Sequence, residues 1–453
     1  LPYDVSDKGG RLKVDMGAHT MTASINTALT LESGLTFPNR LVKAAMTEGL
    51  ADPRNRVTEA HLTLYRRWAE GRIGGMITGN VQIDRNHLER AGNVVIDGKP
   101  SNEEMDMFSR WAEAGKSHGA AMIMQVSHAG RQTPKLINPR PAAPSPVPLG
   151  LPGGQFGQPR AMTSEEIRGV VEGFGNAAHV AKLTGFDGIQ VHAAHGYLLS
   201  SFLSPLANQR QDEYGGPLEN RARLLVQCVE EARIVGGPGF SVSVKLNSAD
   251  FQKGGFSFED CLAVIDILND LGVDFVEISG GNYEQPRMMD TEGLEPVFEQ
   301  GISESTRKRE AYFLKYAKAV QERSRLPLMV TGGFRTTEAM NSALAEGEAD
   351  LIGIGRPLCV DTDTPRKLLS GGISETDRWE NQLRLGPGIL SPTSPIKFIK
   401  MLNGFGAIGW YYEQLRRLGA GDAPNPKLGL LTAFLTNQKN EKRTESARKA
   451  ATP

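Results

Sequence analysis

Cysteine is scarce in this chain, and no uninterrupted apolar run is long enough to cross a bilayer. Cys228, Cys261 and Cys359 are the three cysteines in 453 residues, and none has the C-x-x-C spacing of zinc or iron–sulfur ligation. Each reads as a small buried hydrophobe, and such sparse use suits a reducing, cytoplasmic setting. The opening LPYDVSDKGGRLKVDMGAHT lacks the apolar core of a signal peptide, and no apolar stretch reaches ~18 residues. An excess of one charge is missing too: 51 Lys plus Arg face 52 Asp plus Glu, a formal net charge of -1. No global field favours nucleic acid or an anionic membrane, so small-molecule chemistry is the expectation. The 39% hydrophobic and 23% charged content is that of a globular protein able to bury a sizeable core.

What is present is an alternation. Eight short β-rich runs recur: RLVKAAM (40–46), GMITGNV (75–81), AMIMQVS (121–127), FDGIQVH (186–192), SVSVKL (241–246), DFVEIS (274–279), LPLMVTGG (326–333) and DLIGIG (350–355). Between them lie stretches such as LENRARLLVQCVEEARIVG and FEDCLAVIDILNDLGV, with apolar residues at three- and four-residue spacing. Near-continuously apolar strands alternating with helices imply a parallel sheet covered on its outside, and eight units imply an α/β fold of the (β/α)₈ TIM-barrel type. A doubly wound open sheet is the competing fold, but KAAMTEGLADP after the first strand is not its Gly-rich turn.

The barrel is expected over residues 28–371, after an N-terminal extension of 1–27. The segment INPRPAAPSPVPLGLPGGQFGQPRAMT after the third strand is too rich in Pro and Gly for a regular element and reads as a lid. Thr163 and Glu166 then form a capping box for the next helix. Residues 372–438 read as a helical C-terminal extension of two short helices, packed on the barrel exterior or on a partner in a homodimer, and 439–453 as a mobile tail.

Catalytic groups of a barrel come from strand C-terminal ends. In VHAAHGYLLSSFLSP, His192, His195 and Tyr197 follow the fourth strand. By themselves they could be core filler, metal ligands or hydrogen-bond donors; a metal would need further ligands, which neither the cysteines nor a nearby carboxylate pair offers. After strands seven and eight, VTGGFR and IGIGRP place Gly332, Gly333, Gly355 and Arg356 where barrels bind phosphate, with Arg335 a further candidate.

Taken together, LESGLTFPNRLVKAAMTEG, QVSHAGRQ, DGIQVHAAHGYLLSSFLSPLANQRQDEYGGPLENRARLL, VSVKLNSADF, VTGGFRTTEAMNSAL and ADLIGIGRPL resemble the old yellow enzymes, the FMN-dependent NADH:flavin oxidoreductases, over roughly residues 28 to 370. The resemblance implies a bound FMN and a hydride donor, NADH or NADPH. It implies that Ala45 and Met46 line the flavin, that Thr47 meets its carbonyl edge, and that Asn80 and Gln125 meet its pyrimidine side. Lys245 takes the cationic position facing N1 and O2, and the four phosphate-loop residues hold the phosphate. This chain departs from the commoner pattern twice, with Gly79-Asn80 for Glu-Gly or Glu-Ala and with Lys245 for Arg.

By the same resemblance, His192 and His195 donate to the oxygen of a substrate and Tyr197 delivers a proton. The implied activity is an ene-reductase: hydride adds to the β-carbon of an α,β-unsaturated carbonyl, and protonation follows at the α-carbon. The alternative is a flavin or NADH oxidase, or a redox-neutral flavin isomerase; a non-catalytic flavin binder is a third reading. His128 and Arg131 read as loop anchors, Asp212, Tyr214, Asn220 and Arg221 as locks on the loop after strand four. Glu48 and the segment Ser279 to Tyr283 face the expected substrate space.

Overall fold

The computed structural model describes residues 22–151, 154–281, 284 and 314–451. Eight parallel strands close on themselves: β1 (Leu41–Lys43), β2 (Gly75–Ile77), β3 (Ala121–Ser127), β4 (Gly188–Ala193), β5 (Ser241–Asn247), β6 (Val276–Ser279), β7 (Leu328–Thr331) and β8 (Leu351–Ile354), with β8 pairing back to β1. Each is followed by a helix: α1 (Glu59–Glu70), α2 (Asn102–Lys116), α3 (Ser164–Leu183), α4 (Leu218–Gly236), α5 (Phe258–Asp270), α6 (Leu314–Arg323), α7 (Thr337–Ala345) and α8 (Thr364–Leu369). The eight sequence-read strands and the (β/α)₈ barrel stand. The capping box of Thr163 and Glu166 also forms, each backbone N–H meeting the other residue's side chain at 2.9 and 3.2 Å.

The two faces of each strand carry different chemistry. Outward residues such as Met122, Met124, Val191, Val244 and Ile278 join the main core beneath the helices. Inward residues at the N-terminal end form a separate apolar plug of Val42, Ile77, Ile123, Phe275, Met329 and Leu351. Phe37, from the N-terminal hairpin, closes that end against Phe275, ring centroids 6.2 Å apart at 88°. Toward the C-terminal end the inward residues become polar and stay buried: Gln125, Gln190, His192, Lys245, Asn247, Glu277 and Ser279. Polar groups without water need partners, so this end must carry a built network.

The C-terminal extension is two long helices, α9 (Lys397–Gly419) and α10 (Leu430–Ala451), instead of two short ones and a tail. The connector runs back along α9, with Arg417 Nε on the Ala423 carbonyl, Gln414 on Asn425 and Trp410 on the Leu428 carbonyl. Hence α10 starts beside Gly406 and runs the same way as α9; a Cβ on Gly406 would lie 2.8 Å from Leu430. Residues 439–451 continue this helix because Glu, Lys, Arg and Ala favour it and because its end is tied down. Arg448 pairs with Glu445 at 2.8 Å and reaches the Arg85 carbonyl at 3.3 Å, and Lys449 reaches that of Leu136 at 2.9 Å. No helix among the described residues is long and apolar enough to cross a membrane.

Candidate active site

His192 is the inward residue near the end of β4, in register with Lys245 on β5. Its Nδ1 lies 2.8 Å from Asn80 Oδ1, and its Nε2 lies 3.3 Å from His195 Nδ1. His195 completes the row, Nε2 standing 2.8 Å from Ser279 Oγ. Burial, with the Lys245 charge beside them, holds both imidazoles well below the ordinary range, so both are neutral at physiological pH. Their geometry carries strain: His195 has φ 63, a left-handed backbone uncommon outside glycine. Its N–H is held by Asn247 Oδ1 at 3.0 Å. Tyr197 follows, its ring centroid 5.0 Å from that of His192 and its hydroxyl donating to Glu89.

A second row crosses the barrel mouth below. Lys245 Nζ pairs with Glu277 Oε1 at 2.8 Å. Glu277 Oε2 accepts from Gln190 at 2.9 Å, and Gln190 Oε1 accepts from Gln125 Nε2 at 2.6 Å. Strand register builds this row, since Lys245 faces Glu277 and Gln190 faces Gln125 on neighbouring strands. Ala45, Met46 and Thr47 leave the end of β1 at the same mouth, half-buried. Met46 Sδ lies 3.6 Å from Cys359 Sγ, and the Thr47 backbone packs on Gly79, where a Cβ would come within 2.6 Å of it. Glu48, buried behind them, accepts from the Tyr65 hydroxyl and, at 3.0 Å, from the Gly79 N–H.

Across the mouth lie the ends of β7 and β8. Gly332 and Gly333 adopt φ 108 and 86, values that side chains rarely tolerate. Arg335 and Arg356 converge on one carboxylate, Glu380 of the C-terminal extension, at 2.5 and 3.8 Å. Burial opposes ionisation of Glu380, but these guanidiniums outweigh it and hold its carboxyl below the usual range. Thr331 Oγ1, at the start of this cradle, is buried without a hydrogen-bond partner among the described residues.

Asp84, His87 and His128 are the one cluster of metal-ligand type among the described residues. Its rings are otherwise engaged: His87 Nε2 accepts from the Ala142 N–H at 2.8 Å and His128 Nδ1 from the Gly130 N–H at 3.1 Å. The neutral rings therefore turn N–H toward Asp84 and give up the lone pairs a metal needs. The cluster instead ties the base of the lid to the loop after β2. Farther out, Arg131 ties the lid to the segment after β6, pairing at 2.9 Å with Glu284, which also accepts from the lid's Gly150 N–H at 2.7 Å.

The sequence-read site residues thus lie at one end of the barrel, while Asn282 and Tyr283 of the segment after β6 lie outside the described residues. Glu89, Gln190, Glu277 and Glu380 were not read from the sequence. Gln190 and Glu277 left a signal, polar residues at inward positions of otherwise apolar strands.

Residues 27–374 match the model of the NADH:flavin oxidoreductase / NADH oxidase family. The chain is 39% identical over 354 residues to an NADH-dependent flavin oxidoreductase, iliE, of Neonectria sp. (strain DH2), covering 75% of this chain and 46% of that protein. It is 36% identical over 357 residues to the protein of the same name in Hypocrea jecorina (strain QM6a), covering 75% of this chain and 88% of that one. The chain thus spans about half the length of the first relative and most of the second. In fold it is similar to an old yellow enzyme homologue from Zymomonas mobilis, with a TM-score of 0.65, 24% identity and coverage of 80% of this chain and 97% of that one. It is also similar to morphinone reductase, with a TM-score of 0.64, 22% identity and coverage of 84% and 96%.

Proposed function

The chain belongs to the NADH:flavin oxidoreductase / NADH oxidase family, and from that premise we propose that it is an FMN-dependent ene-reductase using NADH or NADPH. Its substrates are α,β-unsaturated carbonyls and related activated alkenes. The observation that carries this reading is the pairing, at one barrel mouth, of two neutral imidazoles beside a tyrosine with an anion cradle on the far side.

The residues suit the cofactor. Two guanidiniums already converge on a carboxylate, so the cradle accepts an anionic oxygen such as a phosphate's. The orphaned Thr331 Oγ1 offers a further donor there, and the glycine backbone at 332 and 333 allows close approach. Lys245 and Gln125, on the two strands that flank β4, are the residues that would meet the ring system's polar edge. FMN, when bound, supplies a carrier that accepts hydride from the nicotinamide and yields it to an alkene carbon.

The chain's own residues do the rest. His195, neutral because buried, can turn its one N–H from His192 to a carbonyl oxygen without bringing a charge into the site; the one N–H of His192 faces Asn80, so its part is to orient His195 by accepting from it. As hydride reaches the β-carbon, negative charge grows on that oxygen, and such a preorganised donor typically contributes ~10²–10³ in rate. Tyr197, protonated at neutral pH, gives its proton to the α-carbon. Electrons and atoms balance: one hydride and one proton are added across the C=C bond, and the nicotinamide is oxidised.

The test is anaerobic and separates the half-reactions. In Tyr197→Phe, reduction of the flavin by NADH should persist while reoxidation by 2-cyclohexenone falls. Equal loss in both half-reactions, or a protein that stays colourless after incubation with FMN, overturns the reading.

A further inference from the structure

Glu89 lies in the loop after β2, in the polar stretch NHLERAGN. Its Oε2 accepts from the Tyr197 hydroxyl and from Asn80 Nδ2, the latter at 2.5 Å, while Asn93 Nδ2 stands 3.5 Å from Oε1. Asn80 in turn presents Oδ1 to His192 Nδ1 at 2.8 Å. One carboxylate therefore touches the tyrosine directly and the histidine pair through a single amide.

Chemistry fixes the sense of these bonds. An ionised carboxylate only accepts, so Asn80 turns its NH₂ to Glu89 and its carbonyl to His192. Neutral His192 then carries hydrogen on Nδ1. The next residue, Arg90, stacks on Tyr412 of α9 at 3.2 Å from the ring centroid and pairs with Glu441 of α10 at 3.4 Å. The C-terminal helices thus grip the loop that delivers Glu89.

We propose that Glu89 is a positioning residue for alkene reduction: it fixes the place of the Tyr197 oxygen and, through Asn80, sets the hydrogen placement of His192. This rests on the assignment of Tyr197 as the acid. The charged and titratable groups around the pair include, among the described residues, Glu89, the His192 ring, Arg90 with its partner Glu441, and the Tyr412 phenol with Arg416 near it. A carboxylate against a phenol makes the tyrosinate costlier, so Glu89 keeps Tyr197 protonated to higher pH. The hydroxyl hydrogen turns from Glu89 to the α-carbon, and when its O–H bond breaks and the C–H bond forms, the tyrosinate is left beside a like charge. It recovers its proton from water.

The experiment compares Glu89→Gln, Glu89→Ala, Tyr197→Phe and the double variant Glu89→Ala/Tyr197→Phe as holoenzymes. Anaerobic reduction by NADH and reoxidation by 2-cyclohexenone are followed from about pH 6 to pH 10. Flavin reduction should stay within about threefold of the parent in both Glu89 single variants, and Glu89→Ala should slow reoxidation by ~10–100-fold. The double variant should be slower than Tyr197→Phe by a smaller factor than Glu89→Ala slows the parent, because the route through the hydroxyl is already gone and that through Asn80 remains. Glu89→Gln keeps an acceptor but loses the charge, so the alkaline limb of reoxidation should move down by about one pH unit. That limb decides the matter if the alanine variant does not fold. Slow Tyr197→Phe with both Glu89 variants at parental rate and an unmoved limb overturns the role of Glu89 alone. Tyr197→Phe at parental rate overturns it together with the acid assignment.

Discussion

Lys245 Nζ lies 2.8 Å from Glu277 Oε1, both side chains buried, on residues that face each other across β5 and β6. The cation proposed for the flavin's polar edge therefore arrives with its own counter-charge. Glu277→Gln should leave that positive charge uncompensated and favour the reduced, anionic flavin. At an effective dielectric of about 20 the gain is of order 1–2 kcal/mol, or about 20–40 mV for a two-electron couple. Equilibration of the bound FMN against redox dyes measures it, and an unchanged potential means the pair's field does not reach the ring. Breaking one partner of a buried pair also costs stability, about 3–5 kcal/mol, so thermal unfolding should shift down as well.

Acid should destabilise the fold through its buried imidazoles. Burial lowers His61 to about 4, burial and the adjacent His87 lower His128 to about 3, and burial and Lys245 hold His192 and His195 well below the ordinary range. Above about pH 6.5 these groups are neutral folded and unfolded, and their linkage is flat. Below it the unfolded chain takes up protons that the folded chain refuses, so stability falls with pH, by up to about 1.4 kcal/mol per pH unit for each histidine. The window runs from about 6.5 down to about 4 for His61 and about 3 for His128. Calorimetric unfolding between about pH 4 and pH 8 should show the melting temperature dropping on the acid side, and a flat profile there contradicts it.

The cradle should discriminate by phosphate. Arg356→Ala removes a charged fork and is expected to weaken FMN binding by about tenfold or more. Riboflavin, which has the ring but no phosphate, should bind the variant and the parent within about twofold. Fluorescence titration of the apoprotein with both ligands checks this. Equal weakening for the two would place Arg356 against the ring.

Much of the barrel could be read from the chain because its strands are apolar on the side that meets the helices, and Met122, Met124, Val244 and Ile278 keep period two. The same alternation hides the inner face, so Glu277 in VEIS looks like an ordinary break in an apolar run until register places it opposite Lys245. His192, His195 and Tyr197 were legible because they crowd into six residues. Glu89 was not, since its loop has no period and its partner Tyr197 is 108 positions away. Residues 439–451 misled for another reason: their polarity reads as disorder, whereas the buried pair of Glu445 and Arg448 makes that polarity part of the packing.

The left-handed backbone of His195 bears on how this site can drift. A side chain there must tolerate a positive φ as well as reach an oxygen, and asparagine, aspartate and histidine are the polar residues that visit this region most readily. Aspartate would bring a negative charge to the place where one is generated, so asparagine is the exchange that keeps a donor at modest cost. Position 192, on ordinary strand backbone, carries no such filter. Of the two histidines, the second has its vocabulary restricted by the main chain before any substrate exerts selection.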